Sequence, residues 1–354
     1  MKKQMSVLLS AMMVGALALT GCTSSADTTA TTAAAAGDAT TAAATTAAAA
    51  DATTAAATAS KDAVNLKMGT GGTTGTYYAY GGVLSNILNS KLSGVQINIQ
   101  STGASKANIF LIDDKEADLA IVQNDVMDYA YNGADLFEED GAIGSFSAVS
   151  GLYAEVCQIV ASKDITSIAD LKGKRISVGD AGSGVEFNAK QILDAYGISF
   201  DDIQVNNLSF GDSSDALKDG KIDAFFCTAG APTTAVVELS TTNDINLLAI
   251  DDEHAKTLMD AHPFYTQYAI PGGSYNGVAD DVNTVAVKAT LIASNDLSED
   301  VVYELVKGIF DNKDDITAGH AKGAELDPEY AVSGISVPFH PGAEKYFKEI
   351  GALK

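Results

Sequence analysis

Arginine is nearly absent from this chain of 354 residues: Arg175 is the only one. Lysine does not make up the deficit, because Lys and Arg together number 22 against 46 Asp and Glu, a formal net charge of −24. That balance argues strongly against nucleic acid as a partner and against a polybasic membrane contact. No buried arginine pair exists to demand a dicarboxylate, since Arg175 follows a Lys-Gly-Lys turn, opens a strand and reads as structural or surface. Histidine is scarce too. His254, His262, His320 and His340 are scattered without metal-ligand spacing, so no metal is implied, and none joins the glycine-rich turns described below. Cysteine is limited to Cys22, Cys157 and Cys227. Cys157 and Cys227 sit in apolar strand-like runs and are expected as buried free thiols rather than a bridge.

What is present begins with MKKQMSVLLSAMMVGALALTGC: two lysines, an apolar run over 7–19, then Leu19-Thr20-Gly21-Cys22. The run is too short to span a membrane, and the order is that of a secretory signal peptide of about 21 residues. Its last four residues match the lipobox of bacterial lipoproteins, in which Cys22 receives diacylglycerol and becomes the new N-terminus. Loss of Lys2 and Lys3 with residues 1–21 takes the formal charge from −24 to −26. Residues 22–61 are almost wholly Ala, Thr, Ser, Asp and Gly, with no bulky apolar stripe to bury, and read as a tether. The expected location is the extracytoplasmic face of the cell membrane, by lipid anchor.

From residue 62 onward a strand, VNLKMG, ends at the loop GTGGTTG. A helix, YYAYGGVLSNILNSKL, follows, then the alternating strand VQINIQ, a helix over STGASKANIFLIDDKE, and the strand ADLAIVQ. The order recurs as KRISVG, DAGSG, VEFNAKQILDAYG, IQVNNLSF, SSDALKDG and KIDAFFCTAG. Even the acidic residue before the last apolar run is repeated, Asp118 in one copy and Asp223 in the other. Two α/β lobes of one design are expected, with parallel or mixed sheets, a hinge, and a ligand cleft where strand ends face each other. A later strand, VAVKATLIAS, and a helix capped by Asp296 or Ser298 would return the chain to the first lobe. The expected division is lobe 1 at 62–155 and 270–354, and lobe 2 at 156–269.

The glycine loop is not a P-loop, because no lysine follows Gly75, and its register misses the Gly-x-Gly-x-x-Gly dinucleotide pattern. Gln100 stands where a ribose-binding acid would be expected. No cofactor is expected. What the loop offers is backbone N–H groups at Gly71 and Gly72, hydroxyls at Thr73 and Thr74, and the phenol of Tyr77. Ser101, Thr102 and Ser105 repeat the offer, Ser183 and Gly184 repeat it again, and Thr228, Gly230 and Pro232 form a fourth turn, with Pro232 near the first position of a helix. Asp180 and Glu186 are the candidate acid/base pair of a competing enzyme reading, although side chains at helix starts serve more often as caps.

The stretches GTGGTTGTYYAYGG, STGASKANI, DLAIVQNDV, DLKGKRISVGDAGSGVEFNA, KIDAFFCTAGAPTTAV and FHPGAEKYFKE resemble the TAXI family, the extracytoplasmic solute receptors associated with TRAP transporters, over nearly all of 65–349. The resemblance implies a type II periplasmic-binding-protein fold and a receptor for glutamate- or glutamine-like amino acids or small dicarboxylates, working with a TRAP-type permease. It implies that the GTGG and STG turns, Gln123 and the Ser183-Gly184 turn line the cleft, with 264–265 and the turn ending at Tyr275 near the second crossing. Where members often show STGGSVEN this chain has STGASKAN, losing an acid at Ala107 and gaining Lys106. A sensory binding module and a bilobed enzyme are the alternative readings.

Overall fold

The computed structural model describes residues 63–354. The leader, Cys22 and the tether lie outside the described residues. The first copy of the repeat runs β1 (Val64–Gly69), α1 (Thr76–Lys91), β2 (Val95–Gln100), α2 (Ser105–Asp113), β3 (Leu119–Gln123) and α3 (Asn124–Asn132). A long strand, β4 (Phe146–Ser162), leads to the second copy: β5 (Arg175–Ser177), α4 (Gly184–Ala195), β6 (Gln204–Asn206), α5 (Phe210–Lys218), β7 (Ala224–Ala229) and α6 (Thr234–Thr242). After β8 (Ile245–Leu247), α7 (Asp252–Ala261) and β9 (Thr266–Ile270), a second long strand, β10 (Val282–Ser294), returns to the first half. There α8 (Glu299–Asp311), α9 (Lys313–Gly319), α10 (Pro328–Val332) and α11 (Pro341–Glu349) finish the chain.

Strand order is β2-β1-β3-β10-β4-β7-β5-β6, which reads as the same motif from either end. In each half the first strand of the repeat lies between the other two, all parallel. The third strand of each then pairs antiparallel with a long strand, β3 with β10 and β7 with β4. Pattern explains position. LAIVQ in β3 and AFFCTA in β7 are apolar runs buried throughout, as central strands covered on both faces must be. VQINIQ alternates because it is an edge strand with one covered face.

The duplication extends to single hydrogen bonds. Asp118 Oδ2 accepts from Lys67 N–H at 2.8 Å, and Asp223 Oδ2 accepts from Arg175 N–H at 2.8 Å. The amide of each Asp donates to the carbonyl of the same partner, Lys67 or Arg175. Their own carbonyls accept from Ser294 and Ser162, the last residues of the two long strands. One acidic residue thus knits three strands at the same corner of each half. Arg175 adds a forked pair to Asp223, Nη2 to Oδ1 at 2.6 Å and Nε to Oδ2 at 3.1 Å, and is a structural residue remote from the ligand turns.

Helices cover both faces. Tyr80, Leu84 and Leu88 of α1 pack with Val302, Leu305 and Ile309 of α8 in the first half, while Val185, Ala189 and Ile192 of α4 pack with Leu258 of α7 in the second. Gly81, unfavourable in a helix, permits the close approach of α1 to the sheet: a Cβ there would lie 2.9 Å from Thr70 Cγ2. Ser298 Oγ caps α8 by accepting from Val301 N–H, leaving Asp296 to pair with Lys115 at 2.7 Å. Pro232 departs from expectation. α6 begins at Thr234 with Thr233 as its N-cap, so Pro232 lies before the helix, and its ring is exposed. Cys157 and Cys227 are buried free thiols.

Because Asp223 carries the guanidinium as well as the strand corner, Asp223→Ala is expected to lower stability by about 1–3 kcal/mol, and more than Asp118→Ala does. Urea unfolding of the two variants checks this. An equal or smaller loss for Asp223→Ala would contradict the added role of Arg175.

Candidate ligand-binding site

The C-terminal ends of β1, β2, β3, β5 and β7 converge on one cavity. The first half contributes Gly71, Gly72, Gly75, Thr76 and Tyr77 from the β1–α1 turn, Ala104 from the β2–α2 turn, and Gln123 from the end of β3. The second contributes Asp180, Ser183 and Val185 around the start of α4, Phe210 at the start of α5, and Thr228 and Ala229 from β7. Glu155, on the long strand β4, joins them between the halves.

The halves are closed on each other. Thr76 Oγ1 donates to Gly230 O at 3.0 Å, and Gln123 Nε2 donates to Asn188 Oδ1 at 2.6 Å. Asn188 Nδ2 in turn donates to Asp125 Oδ2 at 3.0 Å. Gly184 is a matter of space, since a Cβ there would sit 1.7 Å from Gln123 Oε1.

Of the residues expected from sequence, Gly71, Gly72, Tyr77, Gln123, Ser183 and Thr228 meet at this cavity. The others stand behind it or outside it. Thr73 is exposed, and the Thr74 carbonyl accepts from Ala235 N–H across the halves. Ser101 Oγ donates to Gly71 O, and Thr102 Oγ1 lies 2.9 Å from Thr70 O and 2.7 Å from Asn108 Oδ1, so both hydroxyls hold turns together. Ser105 Oγ accepts from Gln123 N–H. Tyr275 is buried in the second half, where its hydroxyl accepts from Thr233 N–H and donates to Gln158 Oε1.

The three glycine-rich helix starts are not equivalent, contrary to the sequence expectation. α4 carries its own cap: Ser183 Oγ accepts from Glu186 N–H, and Glu186 Oε2 accepts from Gly182 N–H at 2.6 Å, so the Ser183 hydroxyl and the acid of the first turn are both engaged structurally. α1, with sixteen residues, has Gly75 at its N-cap, no side-chain cap and no acid in its first turn. α2 likewise has no side-chain cap, with Ala104 at the N-cap. The first half therefore supplies the open N–H groups and the positive ends of helix dipoles.

Lys106 forms an ion pair with Asp140 at 2.7 Å and lies over the Phe137 ring at 4.9 Å, so its charge is engaged on the flank of the cleft. Ala104 holds φ at +67°, where a side chain is strained and glycine is not.

Sequence reading missed Glu155 altogether. It is 2% exposed, its Oε1 has no hydrogen-bond partner, and burial pushes its carboxyl up to about 8 against the pull of the Lys322 ammonium. The phenols of Tyr77 and Tyr153 lie beside Glu155 and help hold its charge, yet neither hydroxyl completes a well-formed hydrogen bond, and burial drives both phenols well above their ordinary range. Buried polar atoms are nearly always paired, so two such hydroxyls beside an equally unpaired carboxylate oxygen set this part of the cavity apart. The only signal for Glu155 was a charged residue inside the otherwise apolar run of β4. Asp180 is also raised by burial, with Asp212 adding to the effect. Among the described residues, no histidine, lysine or arginine lines the cavity.

The sequence profile of the NMT1-like family matches residues 68–351, nearly the whole described chain. This protein belongs to the NMT1-like family. Among solved structures, this family member is similar to PhnD1 from Prochlorococcus marinus (MIT 9301) in complex with methylphosphonate, with a TM-score of 0.52 at 13% identity, over 82% of this chain and 99% of that one. It is also similar to the alkanesulfonate-binding protein SsuA from Xanthomonas axonopodis pv. citri bound to MOPS, with a TM-score of 0.48 at 16% identity, over 81% and 84% of the two chains. A third is the GluR0 ligand-binding core from Nostoc punctiforme in complex with L-glutamate, at 0.45 and 15%, over 74% and 100%. The PhnD1 likeness shows a shared fold: this NMT1-like chain has the two-lobed α/β architecture of periplasmic binding proteins.

Two expectations follow from the geometry. Glu155 holds its proton more tightly folded than unfolded, so the stability tied to it is full below about pH 4.5 and is lost as pH rises through about 8. Asp125, raised by burial to about 6, acts in the same sense at lower pH, while His262, His320 and His340, lowered by burial, oppose it up to about pH 6.5. The unliganded protein should therefore lose melting temperature between about pH 6.5 and 7.5, above which Lys288, lowered by burial to about 8, gains stability with pH and opposes the loss. Glu155→Gln should lose clearly less over that window. Parallel slopes in the two proteins would refute the assignment. Separately, Ala104→Gly should stabilise by about 1 kcal/mol by relieving the backbone at φ +67°. A fall in melting temperature would contradict that strain.

Proposed function

We propose that this protein is an extracytoplasmic receptor that captures a small carboxylate solute, of the glutamate- or glutamine-like amino acid or small dicarboxylate class, and delivers it to a TRAP-type permease. It would belong to the TAXI group within its family and be held at the outer face of the cell membrane by lipid on Cys22. The observation that carries the reading is the convergence of strand ends from two copies of one repeat on a single cavity, with uncapped starts of α1 and α2 along one wall. Backbone N–H groups there replace water around a carboxylate without needing an arginine.

Closure is the signal to the permease, because a partner can respond only to a difference between filled and empty states. The moving parts are lobe 1 at 62–155 and 270–354 and lobe 2 at 156–269, rocking about β4 and β10 and making or breaking the Thr76–Gly230 and Gln123–Asn188 hydrogen bonds. Capture is favoured over catalysis because the Ser183 hydroxyl, the candidate nucleophile of the cavity, is committed as the cap of α4.

Isothermal calorimetry of the refolded full chain against amino acids and small dicarboxylates should find one saturable ligand at one per chain, with a rise in melting temperature. Uptake of that solute by vesicles carrying a TRAP permease should require the receptor. A natively folded protein that binds none of the panel would remove the capture reading, and uptake unaffected by the receptor would remove the delivery reading.

A further inference from the structure

The geometry points to Glu155 as the specificity-determining residue of the cleft: it pairs with a protonated nitrogen on the ligand and thereby turns away matched solutes that carry only negative groups. This rests on the receptor reading and narrows it.

The argument begins with charge. Glu155 is 2% exposed, lines the cavity, and leaves Oε1 without a partner. The nearby ammonium of Lys322 is held by Glu325 Oε1 at 2.7 Å, and Glu325 Oε2 accepts from Ala154 N–H, so that pair is closed within the protein. The other titratable groups around Glu155 are Tyr77, Tyr153, Tyr330, Cys157 and Cys227, with Asp125 acting on Tyr77. All but Asp125 are phenols or thiols that burial keeps neutral, and none supplies a positive charge. A second carboxylate, Asp180, lines the same cavity.

An ionised carboxylate buried without a counter-ion is costly, and the protein accommodates it by holding a proton. A ligand nitrogen that arrives already protonated replaces that proton with a better partner. A dianion arriving at the same place meets Glu155 and Asp180 with no cation to offset them. The two ends of the cleft are therefore complementary to different charges. The open N–H groups at the start of α1 suit a carboxylate, whereas Glu155, flanked by the phenols of Tyr77 and Tyr153, suits an ammonium group. Because Glu155 must ionise to pair, capture near neutral pH releases protons.

The test compares solutes that differ only in the α-amino group: L-glutamate with glutarate, and L-glutamine with its analogue lacking the α-amino group. They are titrated calorimetrically into the refolded full chain at pH 7 in two buffers of different ionisation enthalpy. At least one amino acid is expected to bind tenfold or more tighter than its partner, with net proton release. Glu155→Gln should cut that affinity about tenfold to hundredfold while leaving the amine-free partner unchanged or improved. Circular dichroism and melting establish that the variant is folded. Should it not fold, the proton release and paired affinities of the parent decide the matter alone. Equal or tighter binding of the amine-free solutes, or binding without proton release, overturns the role of Glu155 and leaves the receptor standing. Failure of every solute to bind removes both.

Discussion

Two strands belong to both halves of this protein, and most of its architecture follows from that. β4 pairs with β10 along most of its length, yet its final residues pair with β7 and β8 in the second half, while β10 pairs with β9 there and with β3 in the first. Register shifts between Ala289 and Thr290 and between Leu291 and Ile292 break the ladder within this pairing. Such irregularities bend and twist a sheet, allowing each half to curve toward the other without severing either strand. The cavity sits where the shared strands pass between the halves, and Glu155 reaches it from β4 itself.

A binding site of this kind is bought with stability. Burial of Glu155 and Asp125 raises both carboxyl groups, and Tyr77 and Tyr153 leave hydroxyl groups unsatisfied around the first of them. Asp125 is repaid locally by Asn188 and by the amide of Val126. Glu155 is offset only in part, by the charge of Lys322 and by the neighbouring phenols of Tyr153 and Tyr77, and it keeps its proton to a higher pH than Asp125 does. The apolar clusters above and below the sheet carry the fold despite that cost.

The sequence made the repeat legible because strands, helices and glycine turns alternate with little interruption, and because Asp118 and Asp223 stand at equivalent places. Turns at strand ends located much of the cavity, including Gly71, Gly72, Gln123 and Ser183. Local chemistry could not separate hydroxyls that face the cavity from those that tie turns together. Ser101 and Thr102 look equally available in one dimension, and their partners at Gly71, Thr70 and Asn108 appear only once β1 and β2 lie side by side. Phe210 was concealed because IQVNNLSF reads as one strand ending at it, whereas only Gln204–Asn206 forms β6 and Phe210 opens α5. Glu155 was concealed more deeply, because its meaning depends on what fails to surround it.

The order of pairing has one further consequence. β4 follows the first copy of the repeat but completes the sheet beside β7, and β10 follows the second copy but completes the sheet beside β3. Each half is closed by a strand exported from the other, an exchange of arms carried out within one molecule. Neither copy is therefore a self-sufficient folding unit. Cutting the chain between them would leave β3 and β7 each with a bare edge, and two such fragments would satisfy those edges most readily by finding one another again.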